Sequence, residues 1–383
     1  MGPLKPARRW TVEKVKISPG KLRGLRRLAD EEGRFRMMAI DQRGSLKRMI
    51  KKATGREATY EDLAQVKKLI VKVLSPYSSA TLIDPTYGFP NAAKYIPPEV
   101  GLLLAAEETG YLPAGTGEKE RKSRLLEGWG VEKIKRAGAD GVKLLLYYRD
   151  DASPEVVEHQ RRIARQVGEE CRAYDLPYVL ELVSYPFKED EAKAEDYEKN
   201  PEAAKNFARR KPEIVFSYVK EFAKPEYHVD ILKVEFPADL KFCKEYADGT
   251  FDGIKRDPVY DLSEVEDFVR EVTRLAKVPW VILSAGVGIE EFLEEVEIAS
   301  RGGASGFLCG RALWKYCVDF YPDVEAVEEW LMTSGVENFQ RLYAASAQAK
   351  PFFETEAFGS FSNLELTDKG PDWYKLYPGF GSA

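Results

Sequence analysis

The sequence has only two histidines, His159 and His228, in 383 residues. A divalent metal that polarises a substrate carbonyl is usually held by several histidines. Neither of these two follows an apolar, strand-like run, because His159 lies in a helical pattern and His228 in a loop. The scarcity of histidine therefore disfavours a metal-dependent mechanism and predicts no metal or other cofactor, although Asp41 and Asp84 leave an all-carboxylate magnesium site open.

Cysteine and long apolar runs are also scarce. The four cysteines show no close pairing of the kind that binds metals, which is typical of reduced thiols in a cytoplasmic protein. No stretch approaches the roughly 20 apolar residues that span a bilayer, and residues 1–17 lack the apolar core of a secretory signal. With a net charge of -5, the chain is not a general nucleic-acid binder. We expect a soluble cytoplasmic protein with neither membrane nor nucleic acid as a partner.

Strand-length apolar runs, in contrast, are frequent. Eight of them are predicted, at residues 35–41, 80–85, 100–108, 141–148, 178–185, 230–237, 280–286 and 306–310. Amphipathic helical patterns lie between most of them, at residues 59–75, 123–138, 153–174, 212–224 and 262–277. Alternating strands and helices imply a parallel sheet, and eight such units predict a closed (β/α)8 barrel. A doubly wound open sheet is the alternative, because residues 100–108 could instead begin a helix.

Two segments fall outside this repeat. Residues 188–211 are highly charged and are interpreted as an insertion after the fifth strand, forming a solvated helix or a mobile loop at the barrel mouth. Residues 351–383 are rich in aromatic residues and glycine. We expect the barrel to occupy residues 1–350 and the aromatic extension to pack on the barrel or on a partner subunit, because so many rings seldom stay exposed. A homo-oligomer is expected.

Charged residues occur where a barrel places its working groups. In the sixth predicted strand, "DILKVEFP", Lys233 and Glu235 point to the same side because side chains alternate along a strand. Lys143 lies in the fourth strand and Glu181 in the fifth. A closed barrel has no edge, so an inward lysine must be paired or used. Several inward lysines and carboxylates together favour a role in chemistry over a purely structural ion pair.

Lysines in such a position suit covalent chemistry with a carbonyl. A lysine is a nucleophile only as a neutral amine, and burial together with a neighbouring cation favours that form. The imine then acts as an electron sink for breaking an adjacent bond, and a carboxylate must move the proton. Lys233 and Lys143 are the candidate amines and Glu181 the better acid/base candidate, with Glu235 expected to pair with Lys143 or another cation.

The last two predicted strands end in a different way. Ser284, Gly286 and Gly288 follow the seventh strand, and Gly310 and Arg311 follow the eighth. Glycines allow backbone N–H groups to approach an anion, and an arginine can bind a phosphate with two hydrogen bonds. Barrels often bind phosphate at this place. The pattern therefore favours a phosphorylated carbonyl substrate.

Seven motifs in order, from about residue 35 to about residue 340, carry a family resemblance. They are "AIDQRGSLKRM", "LIDPTYG", "GADGVKLLLYYRDD", "LELVSYP", "ILKVEFP", "ILSAGV" and "FLCGRALWK". Together they resemble the tagatose 1,6-bisphosphate aldolases, class I enzymes on a (β/α)8 barrel. The resemblance implies reversible cleavage of a ketohexose 1,6-bisphosphate to dihydroxyacetone phosphate and glyceraldehyde 3-phosphate, without a metal.

The resemblance also implies roles for individual residues. Lys233 would form the Schiff base, Glu181 would transfer the proton, and Lys143 would position the substrate or tune the amine. The residues that would line the pocket or bind phosphate are Asp41, Gln42, Ser284, Gly286, Leu308, Gly310 and Arg311.

Three alternatives stay open at this point. One is cleavage of 6-deoxy-6-sulfofructose 1-phosphate with the same lysine chemistry, since a sulfonate and a phosphate are both anions. Another is a metal-dependent aldolase or isomerase. The third is a barrel that binds sugar phosphates without catalysis. The preferred epimer is not visible in the sequence.

Overall fold

The computed structural model describes residues 14–379, apart from the side chain of Thr116. Residues 1–13, where the sequence predicts no secretory signal, and residues 380–383 of the predicted extension lie outside the described residues. The strands are β1 (Val15–Ile17), β2 (Phe35–Ile40), β3 (Ala80–Ile83), β4 (Gly101–Ala105), β5 (Leu112–Ala114), β6 (Glu120–Lys122), β7 (Gly141–Tyr147), β8 (Tyr178–Val183), β9 (Ile231–Glu235), β10 (Trp280–Leu283), β11 (Gly306–Cys309) and β12 (Leu364–Leu366).

The helices run along the same part of the chain. They are α1 (Pro19–Leu28), α2 (Gly44–Thr54), α3 (Tyr60–Leu74), α4 (Phe89–Ala92), α5 (Val131–Arg136), α6 (Pro154–Ala173), α7 (Pro201–Phe222), α8 (Leu262–Ala276), α9 (Ile289–Arg301), α10 (Arg311–Trp314), α11 (Val324–Trp330), α12 (Val336–Ala345) and α13 (Trp373–Leu376). Between residues 14 and 379, none of them combines the length and the apolar character needed to cross a bilayer.

Eight parallel strands close into a barrel in the order β10, β11, β2, β3, β4, β7, β8, β9. The ring is completed because β9 pairs with β10 and β11 pairs with β2. Each of the eight predicted apolar runs contains one of these strands, so the (β/α)8 barrel is confirmed. The doubly wound open sheet is wrong, since β4, the strand in question, pairs on both sides.

Side-chain alternation along β9 places its charges inside the barrel. Ile231 belongs to the apolar cluster of the barrel interior, whereas Leu232 and Val234 pack in the layer between the strands and the helices. Lys233 and Glu235 lie on the side of Ile231 because side chains two residues apart share a face. The charged face of "DILKVEFP" therefore points into the barrel.

Capping signals fix the start of two barrel helices. At the start of α3, the Asp62 N–H donates to the Thr59 hydroxyl (3.2 Å) and the Thr59 N–H donates to the Asp62 carboxylate (2.8 Å). Asp261 and Glu264 make the same reciprocal pair at the start of α8. These pairs satisfy N–H groups that have no partner within the helix, which explains why the predicted helices 59–75 and 262–277 are confirmed closely.

The predicted helix 123–138 is too long. Only α5, Val131–Arg136, is helical there. Residues 120–122, just before the predicted helix, pair with residues 112–114 as an antiparallel hairpin. Within the predicted range, Gly128 has a φ of +69°, which ends regular structure before α5. The hairpin of β5 and β6 lies between β4 and β7 in the chain and reaches the barrel mouth.

The charged segment 188–211 is not a solvated insertion throughout. Its second part, from Pro201, is the first half of α7, which continues through Pro212. An interior proline costs about 3 kcal/mol or more, and burial of residues on both sides of it, including Ala208 and Val215, offsets this cost. In the first part, Glu191 is buried and receives two hydrogen bonds of 2.9 Å from Arg149.

The aromatic extension lies at the end of the barrel opposite the mouth. Phe352 is buried and stacks on Phe35, the first residue of β2, with ring centroids 5.6 Å apart. β12 pairs in parallel with β1, with Val15 opposite Leu364. These contacts close the amino-terminal end of the barrel interior, so the described part of the extension does not reach the mouth. The division of the chain at residues 350 and 351 stays a prediction.

Candidate active site

A cavity of about 490 Å³ opens at the carboxyl ends of the barrel strands. The predicted site residues that line it are Asp41, Gln42, Glu181, Lys233, Ser284, Leu308, Gly310 and Arg311. Lys143 is fully buried below this lining. The structure therefore brings together side chains that lie far apart in the sequence, because parallel strands end at the same side of the barrel.

Lys143 lies among three carboxylates. Its Nζ is 2.7 Å from Asp41 Oδ2, 2.7 Å from Glu107 Oε1 and 2.8 Å from Glu181 Oε2. Burial alone would lower the pKa of Lys143, but the three negative charges outweigh it and raise the pKa well above its ordinary value. Lys143 is therefore held as an ammonium ion.

Lys233 shares one of these carboxylates. Its Nζ is 2.9 Å from Glu181 Oε2, the same oxygen that Lys143 contacts. Burial would raise the pKa of Glu181, but the charges of Lys143 and Lys233 outweigh it and lower the pKa. Burial and the two lysines act on Asp41 in the same way, and the pKa of that carboxyl is also lowered. Among the described residues, Lys143 has three anionic partners and Lys233 has one, so the two lysines have different electrostatic environments.

Glu107 is a site residue that sequence reasoning missed. It follows β4, is buried, and contacts Lys143 with Oε1 while its Oε2 accepts a hydrogen bond from the Leu145 N–H (3.1 Å). The backbone carbonyl of Glu107 accepts a hydrogen bond from Arg43 (2.6 Å). The sequence feature that could have identified Glu107 is its place at the end of a strand, directly after the apolar run "VGLLLAA".

Residues 41–43, which follow β2, carry buried polar atoms without a hydrogen-bond partner among the described residues. These atoms are Oδ1 of Asp41, Oε1 of Gln42 and Nε and Nη1 of Arg43. Buried polar groups are normally paired, so such a cluster at a cavity indicates a polar ligand. A ligand with several hydroxyl groups fits this mixture of acceptors and donors.

The adjacent wall, after β10 and β11, carries a cation that forms no ion pair among the described residues. In the described part of the chain, the Arg311 guanidinium has neither a hydrogen bond nor an ion pair. Burial lowers the pKa of Arg311. Gly286 lies against it: its φ is +95°, and a Cβ at this position would be 2.9 Å from Cζ of Arg311. The Lys315 ammonium donates to the carbonyls of Gly286 and Val287, at 3.0 Å each, and supports this turn.

Other polar residues of the strand ends have different roles. Asp84 is buried in an ion pair with Lys67 (2.7 Å) and does not line the cavity. The expectation that Glu235 pairs with Lys143 or another cation is wrong for the described residues, where it forms no ion pair; its Oε2 accepts a hydrogen bond from the Ser184 N–H (2.6 Å). The Nε2 atom of His159 lies 2.8 Å from the carbonyl of Ser123, away from the cavity lining.

Comparison with known proteins agrees with this arrangement. Residues 35–316 match the model of the DeoC/LacD family aldolases. The chain is 40% identical over 332 residues to a tagatose 1,6-diphosphate aldolase 2 of Enterococcus faecalis, covering 85% of this chain and 93% of the relative. It is 36% identical over 359 residues to a tagatose 1,6-diphosphate aldolase of Listeria monocytogenes, covering 93% of this chain and 99% of the relative.

A solved structure shows the same architecture at low sequence identity. A fructose-bisphosphate aldolase from Plasmodium falciparum superposes with a TM-score of 0.60 and 14% identity, covering 88% of this chain and 99% of that one. At this identity the likeness concerns the fold alone. The family match covers most of the barrel, and the relatives are similar over nearly their whole length; this chain therefore belongs to the DeoC/LacD family of aldolases.

Proposed function

We propose that this protein is a class I aldolase that reversibly cleaves tagatose 1,6-bisphosphate, through a Schiff base on Lys233, to dihydroxyacetone phosphate and glyceraldehyde 3-phosphate. The observation that carries the proposal is that Lys233 and Lys143 contact the same oxygen of Glu181, at 2.9 and 2.8 Å, inside a closed barrel. The substrate is suggested by relatives that bear the name tagatose 1,6-diphosphate aldolase. Fructose 1,6-bisphosphate and other epimers are further candidates.

The pair of lysines suits the first step. Lys143 is held as an ammonium by its three carboxylates, and its charge favours loss of the proton from Lys233 to Glu181. The neutral Lys233 amine attacks the C2 carbonyl of the substrate and forms a carbinolamine. Glu181 then returns the proton to the departing hydroxyl, water leaves, and an iminium ion remains on Lys233.

The iminium supplies the electron sink for cleavage. When the C4 hydroxyl loses its proton, the C3–C4 bond breaks and its electron pair moves into an enamine on Lys233. Glyceraldehyde 3-phosphate leaves as the aldehyde. Protonation of the enamine at C3 and hydrolysis of the resulting iminium release dihydroxyacetone phosphate and the free Lys233 amine. Glu181 is the proposed proton carrier because it lies within 2.9 Å of the reacting nitrogen.

Two parts of the cavity wall would hold the substrate. Ser284, Gly310 and the free guanidinium of Arg311 would bind the phosphate of the dihydroxyacetone half, with Leu308 beside it. The unpaired atoms of Asp41 and Gln42 would bind substrate hydroxyls. The Arg311 guanidinium, Oδ1 of Asp41 and Oε1 of Gln42 receive no hydrogen bond from, and donate none to, the described protein atoms.

The test is chemical trapping combined with a turnover screen. Protein incubated with dihydroxyacetone phosphate and borohydride should gain the mass of the reduced adduct on the peptide containing Lys233. Turnover should be highest with tagatose 1,6-bisphosphate in a screen that includes fructose 1,6-bisphosphate and 6-deoxy-6-sulfofructose 1-phosphate, and should persist in chelator. An adduct on another residue, no adduct, or activity that requires a divalent metal would contradict the proposal.

Replacement of Gly286 by alanine should weaken binding of the phosphate. The new Cβ would meet the Arg311 guanidinium at 2.9 Å, and the φ of +95° strains any residue with a side chain. We expect the KM for the bisphosphate to rise about tenfold or more, the effect of losing a charge-assisted hydrogen bond. Steady-state kinetics measure this change.

Gly288 offers the matched control. A Cβ on Gly288 would meet no atom within 4 Å, and its φ of -70° is ordinary. Gly288→Ala should therefore keep the wild-type KM. Equal KM values for Gly286→Ala and Gly288→Ala would contradict the assignment of Arg311 to the phosphate site.

A further inference from the structure

Arg121 lies on β6 with its guanidinium among three tyrosine rings. Its Cζ is 4.4 Å from the ring centroid of Tyr111, 5.1 Å from that of Tyr147 and 4.7 Å from that of Tyr185. Rings placed around a guanidinium attract its charge and restrict its position, and contacts with its flat faces leave the N–H groups at its edge available. The tyrosines therefore hold the Arg121 side chain without using its hydrogen-bond donors.

No carboxylate neutralises this arginine in the part of the chain that the structure describes. Its guanidinium makes neither a hydrogen bond nor an ion pair with residues there, and both Arg121 and Tyr111 line the cavity. Arg43, by comparison, donates to the Glu107 carbonyl, and Lys241 pairs with Glu291 at 2.5 Å. Arg121 is thus a positioned, partly buried cation with its donors free at the barrel mouth.

The hairpin that carries Arg121 is anchored to the barrel. The Arg121 N–H donates to the hydroxyl of Tyr185 (3.1 Å), a fully buried residue. The neighbouring Glu120 carboxylate accepts hydrogen bonds from the N–H (3.0 Å) and hydroxyl (2.6 Å) of Ser153. Because side chains alternate along a strand, Glu120 faces the barrel helix and Arg121 the opposite side, toward the cavity.

The barrel order places Arg121 across the mouth from Arg311. Tyr147 ends β7, and Arg311 follows β11. In the closed ring, β7 and β11 are separated by β2, β3 and β4 on one side and by β8, β9 and β10 on the other, which makes them diametrically opposite. Lys233 and Glu181 belong to β9 and β8 and lie in the interior between the two cations. A substrate with an anion at each end could contact both arginines while its centre lies at Lys233.

We propose that Arg121, held by Tyr111, Tyr147 and Tyr185, binds the second anionic group of the substrate, at the end that leaves as the aldehyde. This inference rests on the proposed aldolase function and assigns the group that selects a phosphorylated aldehyde over a neutral one. A phosphate dianion and a sulfonate both present oxygens that a guanidinium can bind with two hydrogen bonds, so either source of negative charge would be recognised.

The reverse reaction, in which an aldehyde condenses with dihydroxyacetone phosphate, tests the aldehyde end of the substrate separately. Dihydroxyacetone phosphate is combined with glyceraldehyde 3-phosphate, with sulfolactaldehyde or with uncharged glyceraldehyde, and kcat/KM is measured for each aldehyde. Arg121→Gln should lower the preference for glyceraldehyde 3-phosphate over glyceraldehyde by about 10- to 100-fold, as expected for loss of hydrogen bonds to a charged group. A larger loss with sulfolactaldehyde than with the phosphate would identify the sulfonate as the better fit to Arg121.

Two matched variants accompany this test. Arg124 is exposed, two residues beyond the end of β6, and is not part of the cavity lining, so Arg124→Gln should keep the wild-type preference. Arg48 lines the cavity near Arg311 and also lacks a described partner. If Arg48→Gln, and not Arg121→Gln, abolishes the preference, the second anion binds on the other wall and the proposal is wrong.

The outcomes separate this inference from the aldolase proposal. Arg121→Gln should still form the borohydride-trapped adduct with dihydroxyacetone phosphate, which shows that the protein is folded and that the Lys233 end is intact. Equal loss with charged and uncharged aldehydes, or no loss with either, would overturn the role of Arg121 and leave the aldolase proposal standing. A wild-type protein with neither adduct nor condensation would overturn both.

Discussion

Replacing Lys233 by methionine is expected to abolish aldol cleavage and to leave the fold intact. The variant keeps the apolar stem of the side chain and removes the only amine that the proposal uses as a nucleophile. Loss of a covalent nucleophile lowers kcat on the order of 10⁴- to 10⁶-fold. The measurements are steady-state cleavage of tagatose 1,6-bisphosphate and borohydride trapping, in which the variant should take up no adduct.

The fold should survive because, among the described residues, Lys233→Met deprives no carboxylate of its last ion-pair partner. Glu181 loses one partner but keeps Lys143 at 2.8 Å. Lys233→Arg is the companion variant, since it retains the positive charge without a nucleophilic amine, and it should be as inactive as Lys233→Met. Substantial turnover by either variant would show that Lys233 is not the covalent catalyst.

The sequence allowed the barrel to be predicted because each strand is a local apolar run. Its eight runs match the eight barrel strands, and the charged face of β9 follows from period-two alternation alone. The errors occurred where long-range contacts decide the local structure. The predicted helix 123–138 is helical only from Val131, and the hairpin of β5 and β6 that precedes it was not predicted. Burial of both halves of α7 carried that helix through Pro212.

The same distinction applies to the candidate site. Lys143, Glu181 and Lys233 could be predicted because a charge within an apolar strand is conspicuous. Arg121 could not, since its significance lies in three tyrosines from a loop, from β7 and from the segment after β8. That environment exists only after the barrel closes. Glu107 was overlooked because it follows its strand and resembles a solvated turn residue until Lys143 is placed beside it.

Lys143→Met, unlike Lys233→Met, should cause a large loss of stability. Lys143→Met removes the cation that Asp41, Glu107 and Glu181 share at 2.7, 2.7 and 2.8 Å. Removing one partner from a buried ionic cluster costs about 3–5 kcal/mol, because the remaining charges are left without compensation. Urea unfolding at pH 7 should show this decrease in the free energy of unfolding.

The pH dependence of the loss distinguishes charge from packing. In the wild type the pKa values of Asp41 and Glu181 are lowered by folding. These carboxylates therefore stabilise the fold fully at pH values above their unfolded-state pKa values of about 3.9 and 4.3. This stabilisation is lost as the pH falls through their folded-state pKa values. The pKa of Lys143 is raised, so its stabilisation is complete below an unfolded value of about 10.4 and is lost only as the pH rises through the folded-state value. Both effects are present at neutral pH.

In Lys143→Met, burial acts on Asp41 and Glu181 with less positive charge to oppose it, so their pKa values should rise. Protonation then relieves the buried charge, and the stability deficit of Lys143→Met relative to wild type should be largest near pH 8 and smaller near pH 5. Lys72→Met is the matched control, since Lys72 forms an exposed pair with Glu328 and should show little change at any pH. A stability deficit that is the same at pH 8 and pH 5 would mean that Lys143 stabilises the barrel by filling space. The proposal that its charge directs the proton from Lys233 to Glu181 would then be wrong.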